Sequence, residues 1–247
     1  MSTKDEEWLL KEKYHGEKTE GFFTDCRRLE AGEPLAYVIG FTPFLNATIW
    51  LDSHPLIPRV ETEYLVHALV AHLSKVEKPP FHTLDLCAGS GCIGIALAQA
   101  FKTSKIDFVE IDDKHLATIK KNCTVNNIEP ERTKIIASDL FSSLTPGNQY
   151  DLIVSNPPYL DADLKRVAES VVAHEPALAL YGGKSGLEII NKIIDLAPMF
   201  LARGGELWLE HEPEQVSAIQ KKSEHTFTVT THKDQYGTPR FSQLVLQ

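Results

Sequence analysis

The sequence is poor in cysteine. It has four in 247 residues, Cys26, Cys87, Cys92 and Cys123, with no C-x-x-C pair among them. That usage argues against a disulfide framework or a zinc site and reads as reduced thiols in a cytoplasmic protein; no metal is expected. No apolar run approaches the ~18 residues that a membrane helix needs. The opening Met1-Ser2-Thr3-Lys4-Asp5-Glu6-Glu7 lacks the basic and apolar regions of a signal peptide. Positive charge is scarce too: 25 Lys and Arg stand against 34 Asp and Glu, a net charge of −9. Such a balance disfavours non-specific binding to nucleic acid or to anionic membranes. There is neither internal repeat nor low-complexity tract. What remains is ordinary, 43% hydrophobic and 24% charged residues, enough for a globular chain with a sizeable core.

Along the chain the patterning changes twice. Residues 5–31 read as one or two short amphipathic helices, with Trp8, Leu9, Leu10, Phe22, Phe23, Cys26 and Leu29 as their apolar positions. Residues 35–51 are aromatic and β-branched, punctuated by Pro43 and Asn46, which predicts a hairpin. A helix is expected after Pro58, and Pro79-Pro80 then breaks the chain. From residue 81 strands and helices alternate. Strands are expected at 82–87, 106–111, 133–137, 150–155, 205–210, 226–231 and 241–246, and helices at 92–101, 113–126, 160–172, 186–201 and 213–223. That order predicts an α/β fold: a Rossmann-like seven-stranded sheet, mostly parallel, closed by a C-terminal antiparallel pair at the Gln235-Tyr236-Gly237-Thr238 turn. The expected divisions are a helical segment at 1–34, a hairpin and linking helix at 35–80, and the α/β domain at 81–247.

Two segments carry chemistry. Leu84-Asp85-Leu86-Cys87-Ala88-Gly89-Ser90-Gly91-Cys92-Ile93-Gly94 is a strand running into G-x-G-x-x-G, with a helix after it. Glycines there permit positive φ and close approach of a ligand. Glu110 lies 21 residues beyond Gly89, where a carboxylate can accept both ribose hydroxyls of a nucleoside. NAD and S-adenosylmethionine both suit such a loop. Asp85 favours the second, because an acid would repel a pyrophosphate and attract an ammonium. Asp139, after the third strand, suits an adenine amine. The other segment, Ser155-Asn156-Pro157-Pro158-Tyr159, follows the fourth strand. Its prolines fix φ and remove two N–H donors. The Asn156 side-chain oxygen and the Pro157 carbonyl can then act as paired acceptors for a planar NH2 group, with Tyr159 as a wall. Holding both hydrogens draws the nitrogen toward tetrahedral geometry and aims its lone pair. His211, between Glu210 and Glu212, reads as a solvated strand end rather than a metal ligand.

Together these motifs resemble the S-adenosylmethionine-dependent methyltransferases that modify a planar amine or amide nitrogen. Gly32-Glu33-Pro34-Leu35-Ala36-Tyr37-Val38-Ile39-Gly40, Leu56-Ile57-Pro58-Arg59-Val60-Glu61-Thr62-Glu63 and Glu175-Pro176-Ala177-Leu178-Ala179-Leu180-Tyr181-Gly182-Gly183 narrow the likeness to the release-factor glutamine methyltransferase (HemK/PrmC) family, over about residues 32–247. The resemblance implies methylation of the glutamine of the Gly-Gly-Gln loop in a class I peptide chain release factor. It implies that Cys87, Ala88, Gly89, Ser90, Gly91, Glu110, Asp139, Leu140 and Asn156 hold S-adenosylmethionine. Asn156, Pro157, Pro158, Tyr159 and Phe44 would receive the glutamine, with Asn156, Pro157 and Tyr159 catalytic. A monomer without direct nucleic-acid or membrane contact is expected. The rival reading is a methyltransferase of exocyclic amines in nucleic acid, which would need a basic groove or a base-flipping domain. The chain departs from the family pattern at Glu110 (usually Asp), Cys87 (usually Gly) and Val60 (usually Pro). The resemblance implies that the N-terminal helical segment at 1–34 keeps a reduced partner-docking role, or else that partner binding rests on the catalytic domain.

Overall fold

The structure, a computed structural model, describes residues 3–76, 81–145, 147, 150–164 and 168–247. The Pro79-Pro80 break lies outside the described residues, as does part of the helix expected at 160–172. Helices α1 (Thr3–Glu12), α2 (Glu20–Glu30) and α3 (Leu35–Ile39) lead into a hairpin of β1 (Phe41–Phe44) and β2 (Ala47–Trp50), then α4 (Val60–Leu73). The alternating region runs β3 (His82–Leu86), α5 (Cys92–Ala100), β4 (Lys105–Glu110), α6 (Leu116–Val125), β5 (Thr133–Ala137), β6 (Tyr150–Ser155), α7 (Glu169–His174), α8 (Ala177–Leu180), α9 (Glu188–Leu196), β7 (Leu201–Glu210), α10 (Val216–Ser223), β8 (Phe227–Lys233) and β9 (Pro239–Leu246). The sheet has the order β5-β4-β3-β6-β7-β9-β8. Only β9 among its described strands runs against the rest, antiparallel to both β7 and β8. Strand order reverses between β3 and β6, the place where ligands of open α/β sheets bind.

Side-chain alternation divides the core. Leu152 and Val154 of β6 face the layer of α4, α5, α6 and the hairpin, while Ile153 faces the layer of α9 and α10. The helix α5 lies tight on the sheet because Gly94 has no side chain: a Cβ there would sit 2.4 Å from Phe108. Asn122 on α6 and Asn126, which caps that helix one turn later, pair with the free edge of β2, at Trp50 and Thr48 respectively, through both N–H and C=O of each. Asn122 also donates to the Ser90 carbonyl at 2.9 Å, so the hairpin is tied to the glycine loop.

The strands expected from residue 81 onward are all present. Residues 35–39 differ: they form α3, not a strand. Pro34 opens that helix and Gly40, at φ 101°, closes it, and these two signals outweigh the β propensity of Tyr37, Val38 and Ile39. The expected helix at 160–172 is also broken up. The Leu160 backbone is engaged with Leu180 and Gly182, and a single turn at Ala162–Leu164 precedes α7.

Candidate functional site

A cleft of about 970 Å3, counting its open mouth, lies at the carboxyl edge of β3, β4 and β6. Cys87, Ala88, Gly89, Ser90, Glu110, Asp139, Leu140, Asn156 and Pro158 line it, which gathers most of the residues expected to hold a nucleoside. Three loop residues are left-handed: Cys87 at φ 61°, Gly89 at 55° and Gly91 at 79°. Gly89 faces open space, whereas a Cβ on Gly91 would lie 3.1 Å from Ile119. Gly91 therefore serves packing and does not line the cleft. Glu110 shapes the loop from beneath. One carboxylate oxygen accepts the Gly89 N–H at 2.7 Å and the other the Asp112 N–H at 2.9 Å. Burial raises its carboxyl above the ordinary range. Asp112 also lines the cleft, but its carboxylate is paired with Lys114 at 2.8 Å, which lowers its pKa.

Asp85 is not on the cleft wall. It is buried under the loop, accepts the Gly94 N–H at 2.8 Å, and leaves its other oxygen without a partner. Burial pushes it up to about 8. Cys87 holds its left-handed backbone without being a glycine. Left-handed backbone costs a residue with a Cβ roughly 1–2 kcal/mol. Cys87→Gly is therefore expected to be about 1 kcal/mol more stable than Cys87→Ala in denaturant unfolding. Equal midpoints would show that the loop does not constrain this position.

The Asn-Pro-Pro-Tyr segment leaves β6 beside the loop, after the Ser155 hydroxyl donates to the Leu86 carbonyl at 2.6 Å. Asn156 lines the large cleft and also a second, neighbouring cavity, which Pro157, Tyr159, Arg59, Val171 and Glu212 help to form. Two residues that sequence reasoning missed organise this junction. The Asn156 amide donates to the Thr62 hydroxyl at 3.0 Å, and Thr62 donates to the Glu210 carboxylate at 2.7 Å. The Tyr159 hydroxyl donates to the other Glu210 oxygen at 2.9 Å, so only the ring of Tyr159 is left to wall the cavity. Thr62 lies inside the segment from Leu56 to Glu63. The one signal for Glu210 was a carboxylate ending an apolar strand at the same sheet edge.

The remaining motifs form the roof. Glu175, buried, accepts from the Arg59 guanidinium and the Ile57 N–H, which joins the segment before α4 to the one before α8. Gly182 and Gly186 lie directly on the tetrad: a Cβ would stand 2.4 Å from the Pro158 carbonyl oxygen at the first and 1.8 Å from that of Tyr159 at the second. Gln215 clamps the same place, donating to the carbonyls of Tyr159 and Ser185.

Two expectations are corrected here. Phe44 lines neither cavity; it is 1% exposed, because an apolar ring at the end of β1 gains more by packing in the core beneath the hairpin. His211 is not solvated but wholly buried, bonded to the Glu212 carbonyl and the Ser242 hydroxyl, and burial lowers it to about 4. Among the described residues no group of three or more His, Cys, Asp or Glu could hold a metal ion. No helix among them is long and apolar enough to cross a membrane.

A methyltransferase small domain model matches residues 62–185, half of the chain. The release factor glutamine methyltransferase of Lactococcus lactis is 34% identical over 236 residues, spanning 94% of this chain and 84% of that protein. The chain belongs to the release factor glutamine methyltransferase family. The family's Flavobacterium psychrophilum representative is 32% identical over 221 residues, 86% of this chain and 75% of its own length. Among solved structures, a Thermus thermophilus 16S rRNA N2 methyltransferase in complex with AdoMet and guanosine superposes with a TM-score of 0.58 at 19% identity, over 84% of this chain and 49% of that one. That likeness speaks for the fold alone. Membership in the family makes the chain a methyltransferase.

Proposed function

We propose that this chain transfers a methyl group from S-adenosylmethionine to the side-chain amide nitrogen of the glutamine in the Gly-Gly-Gln loop of a class I peptide chain release factor, acting as a monomer on protein rather than nucleic acid. One observation carries the reading: Asn156 is shared by two cavities, one walled by the glycine loop and Glu110, the other by Pro157 and Tyr159. Two compartments meeting at one amide suit a transfer between a cofactor and a planar nitrogen.

The residues present fit the cofactor. Gly89 leaves space at the loop, Glu110 lines the cleft with its carboxyl, and beneath the loop the buried Asp85 carboxyl, pushed up to about 8 by burial, has one oxygen without a partner. Cys87 to Ser90, Glu110, Asp139, Leu140 and Asn156 would hold it; when bound, it supplies an electrophilic methyl group. The Asn156 side-chain oxygen and the Pro157 carbonyl would each take one hydrogen of the target amide. That positions its nitrogen and favours the positive charge developing on it. The Tyr159 ring would cover the amide plane. No covalent relay is required, and the chain offers none at this point: Tyr159 is held by Glu210, and its phenol is raised well above its ordinary pKa by burial.

Glu110→Ala is expected to weaken S-adenosylmethionine binding at least tenfold, at roughly 1.5–3 kcal/mol per bond to a charged group. Asp112→Ala should cost less, since that carboxylate already serves Lys114. Isothermal titration of both variants checks this; unchanged affinity for Glu110→Ala would refute the assignment. The substrate is tested by incubating the chain and labelled S-adenosylmethionine with a class I release factor, the same factor lacking the target glutamine, and duplex DNA. Label is expected on the first alone, mapped by mass to the Gly-Gly-Gln peptide. Equal label on the glutamine-free factor would mean that the target residue is wrong. Label on DNA would favour the nucleic-acid reading.

A further inference from the structure

We infer that Glu210, acting through Thr62, sets which end of the Asn156 amide faces the cleft, and so is a positioning residue for the methyl acceptor. The inference rests on the reading of Asn156 as an acceptor for the target amide.

The argument is one of counting hydrogens. An ionised carboxylate only accepts. Glu210, completely buried, takes one hydrogen from Thr62 on one oxygen and one from Tyr159 on the other. A threonine hydroxyl has a single hydrogen, and Thr62 has given it to Glu210. Toward Asn156 the Thr62 oxygen can then only accept, so the NH2 end of the amide must face it, as it does at 3.0 Å. The carbonyl end of Asn156 is what remains for the cavities that this residue lines. Without the carboxylate, Thr62 is free to donate to the Asn156 oxygen. The amide then gains equally by turning over, and its NH2 end, facing the NH2 of an incoming glutamine, repels it.

Protonation should mimic that loss. Burial pushes Glu210 up to about 7, against the lowering effects of its bonds from Thr62 and Tyr159 and of nearby Arg240 on β9; Glu61 on α4 adds to the rise. Above that pH the carboxylate holds Thr62 in the accepting sense. Below it the carboxyl has a hydrogen of its own to offer, and the direction of the chain is no longer fixed. Neighbouring His211 stays neutral in this range, and Glu212 is paired with Arg240.

The test is single-turnover methylation of a release factor, between about pH 6 and 8, with Glu210→Gln, Thr62→Val, Thr62→Ser and Asn156→Ala beside the parent, and with S-adenosylmethionine titration of each. A glutamine side chain is a neutral isostere that can donate, so Glu210→Gln should reproduce the low-pH rate of the parent at every pH. The parent-to-variant ratio should rise severalfold across pH 7. Asp85 titrates in both proteins and cancels from that ratio. Thr62→Val should lower turnover roughly tenfold or more while cofactor affinity stays within threefold, and Thr62→Ser should restore it. A pH-independent ratio, or Thr62→Val turnover within threefold of the parent, overturns the inference. If Thr62→Val does not fold, as judged by thermal unfolding, the Glu210→Gln ratio decides alone. If instead Asn156→Ala keeps parental turnover, the reading of the tetrad itself falls.

Discussion

Replacing Asn156 by alanine is expected to lower single-turnover methylation roughly a hundredfold or more, the scale seen when one preorganised electrostatic group is removed from an active site. An amide nitrogen is a poor nucleophile because its lone pair is spread into the carbonyl. On the proposed reading, its reactivity depends on where its two hydrogens are held. Removing the Asn156 side chain leaves one of them unpaired and also leaves the Thr62 oxygen without its donor. The Pro157 carbonyl remains, so positioning is halved rather than abolished. Cofactor affinity should change far less, because Glu110 and the glycine loop are untouched. Turnover within threefold of the parent would reduce Asn156-Pro157-Pro158-Tyr159 to a structural turn.

Gly186→Ala should be nearly as damaging, by another route. Gly186 sits at φ 67°, and an added Cβ would stand 1.8 Å from the Tyr159 carbonyl oxygen and 2.6 Å from the Gln215 amide nitrogen. The first neighbour is backbone and cannot swing away. Left-handed strain of roughly 1–2 kcal/mol adds to the overlap. A total of about 3 kcal/mol or more is expected, which for a chain of this size lowers Tm by roughly 6–12 °C. If the loop relieves the overlap by moving, Tyr159 moves with it and turnover falls instead. Thermal unfolding and methylation read on one sample distinguish the two. A Tm within 2 °C of the parent with turnover within threefold would mean that this contact is loose.

The sheet was legible because its strands announce themselves locally. Apolar runs such as Leu152-Ile153-Val154 are bounded by turn residues, and the Gly89-Ser90-Gly91 loop marks where strand passes to helix. The position of the Asn156 tetrad at the sheet edge was legible for the same reason: the motif is contained in four adjacent residues that end a strand. Thr62 and Glu210 were not, because their meaning lies in contacts separated by 94 and 148 residues. A threonine in the first turn of a helix and a glutamate at a strand end are commonplace until the fold sets them 2.7 Å apart. Phe44 failed for the opposite reason. Its role came from the resemblance alone, and nothing in its own surroundings kept the ring from the core. His211 was misread because flanking acids suggest solvent, whereas β9 covers it through Ser242.

The bonds that join Arg59 to Glu175 and Thr62 to Glu210 across long stretches of sequence bear on how the molecule comes into being. Translation delivers the chain from its amino end at roughly 5–20 residues per second. Thr62 must therefore wait for 148 more residues before its carboxylate partner has been made, an interval of roughly 7–30 s. Arg59 likewise waits 116 residues for Glu175. Closing loops of this length costs entropy that only the completed sheet returns. The glycine loop and β4 can order early, because their partners lie near in sequence. The corner of Thr62, Asn156 and Glu210 cannot, and it is complete only once β7 has joined β6.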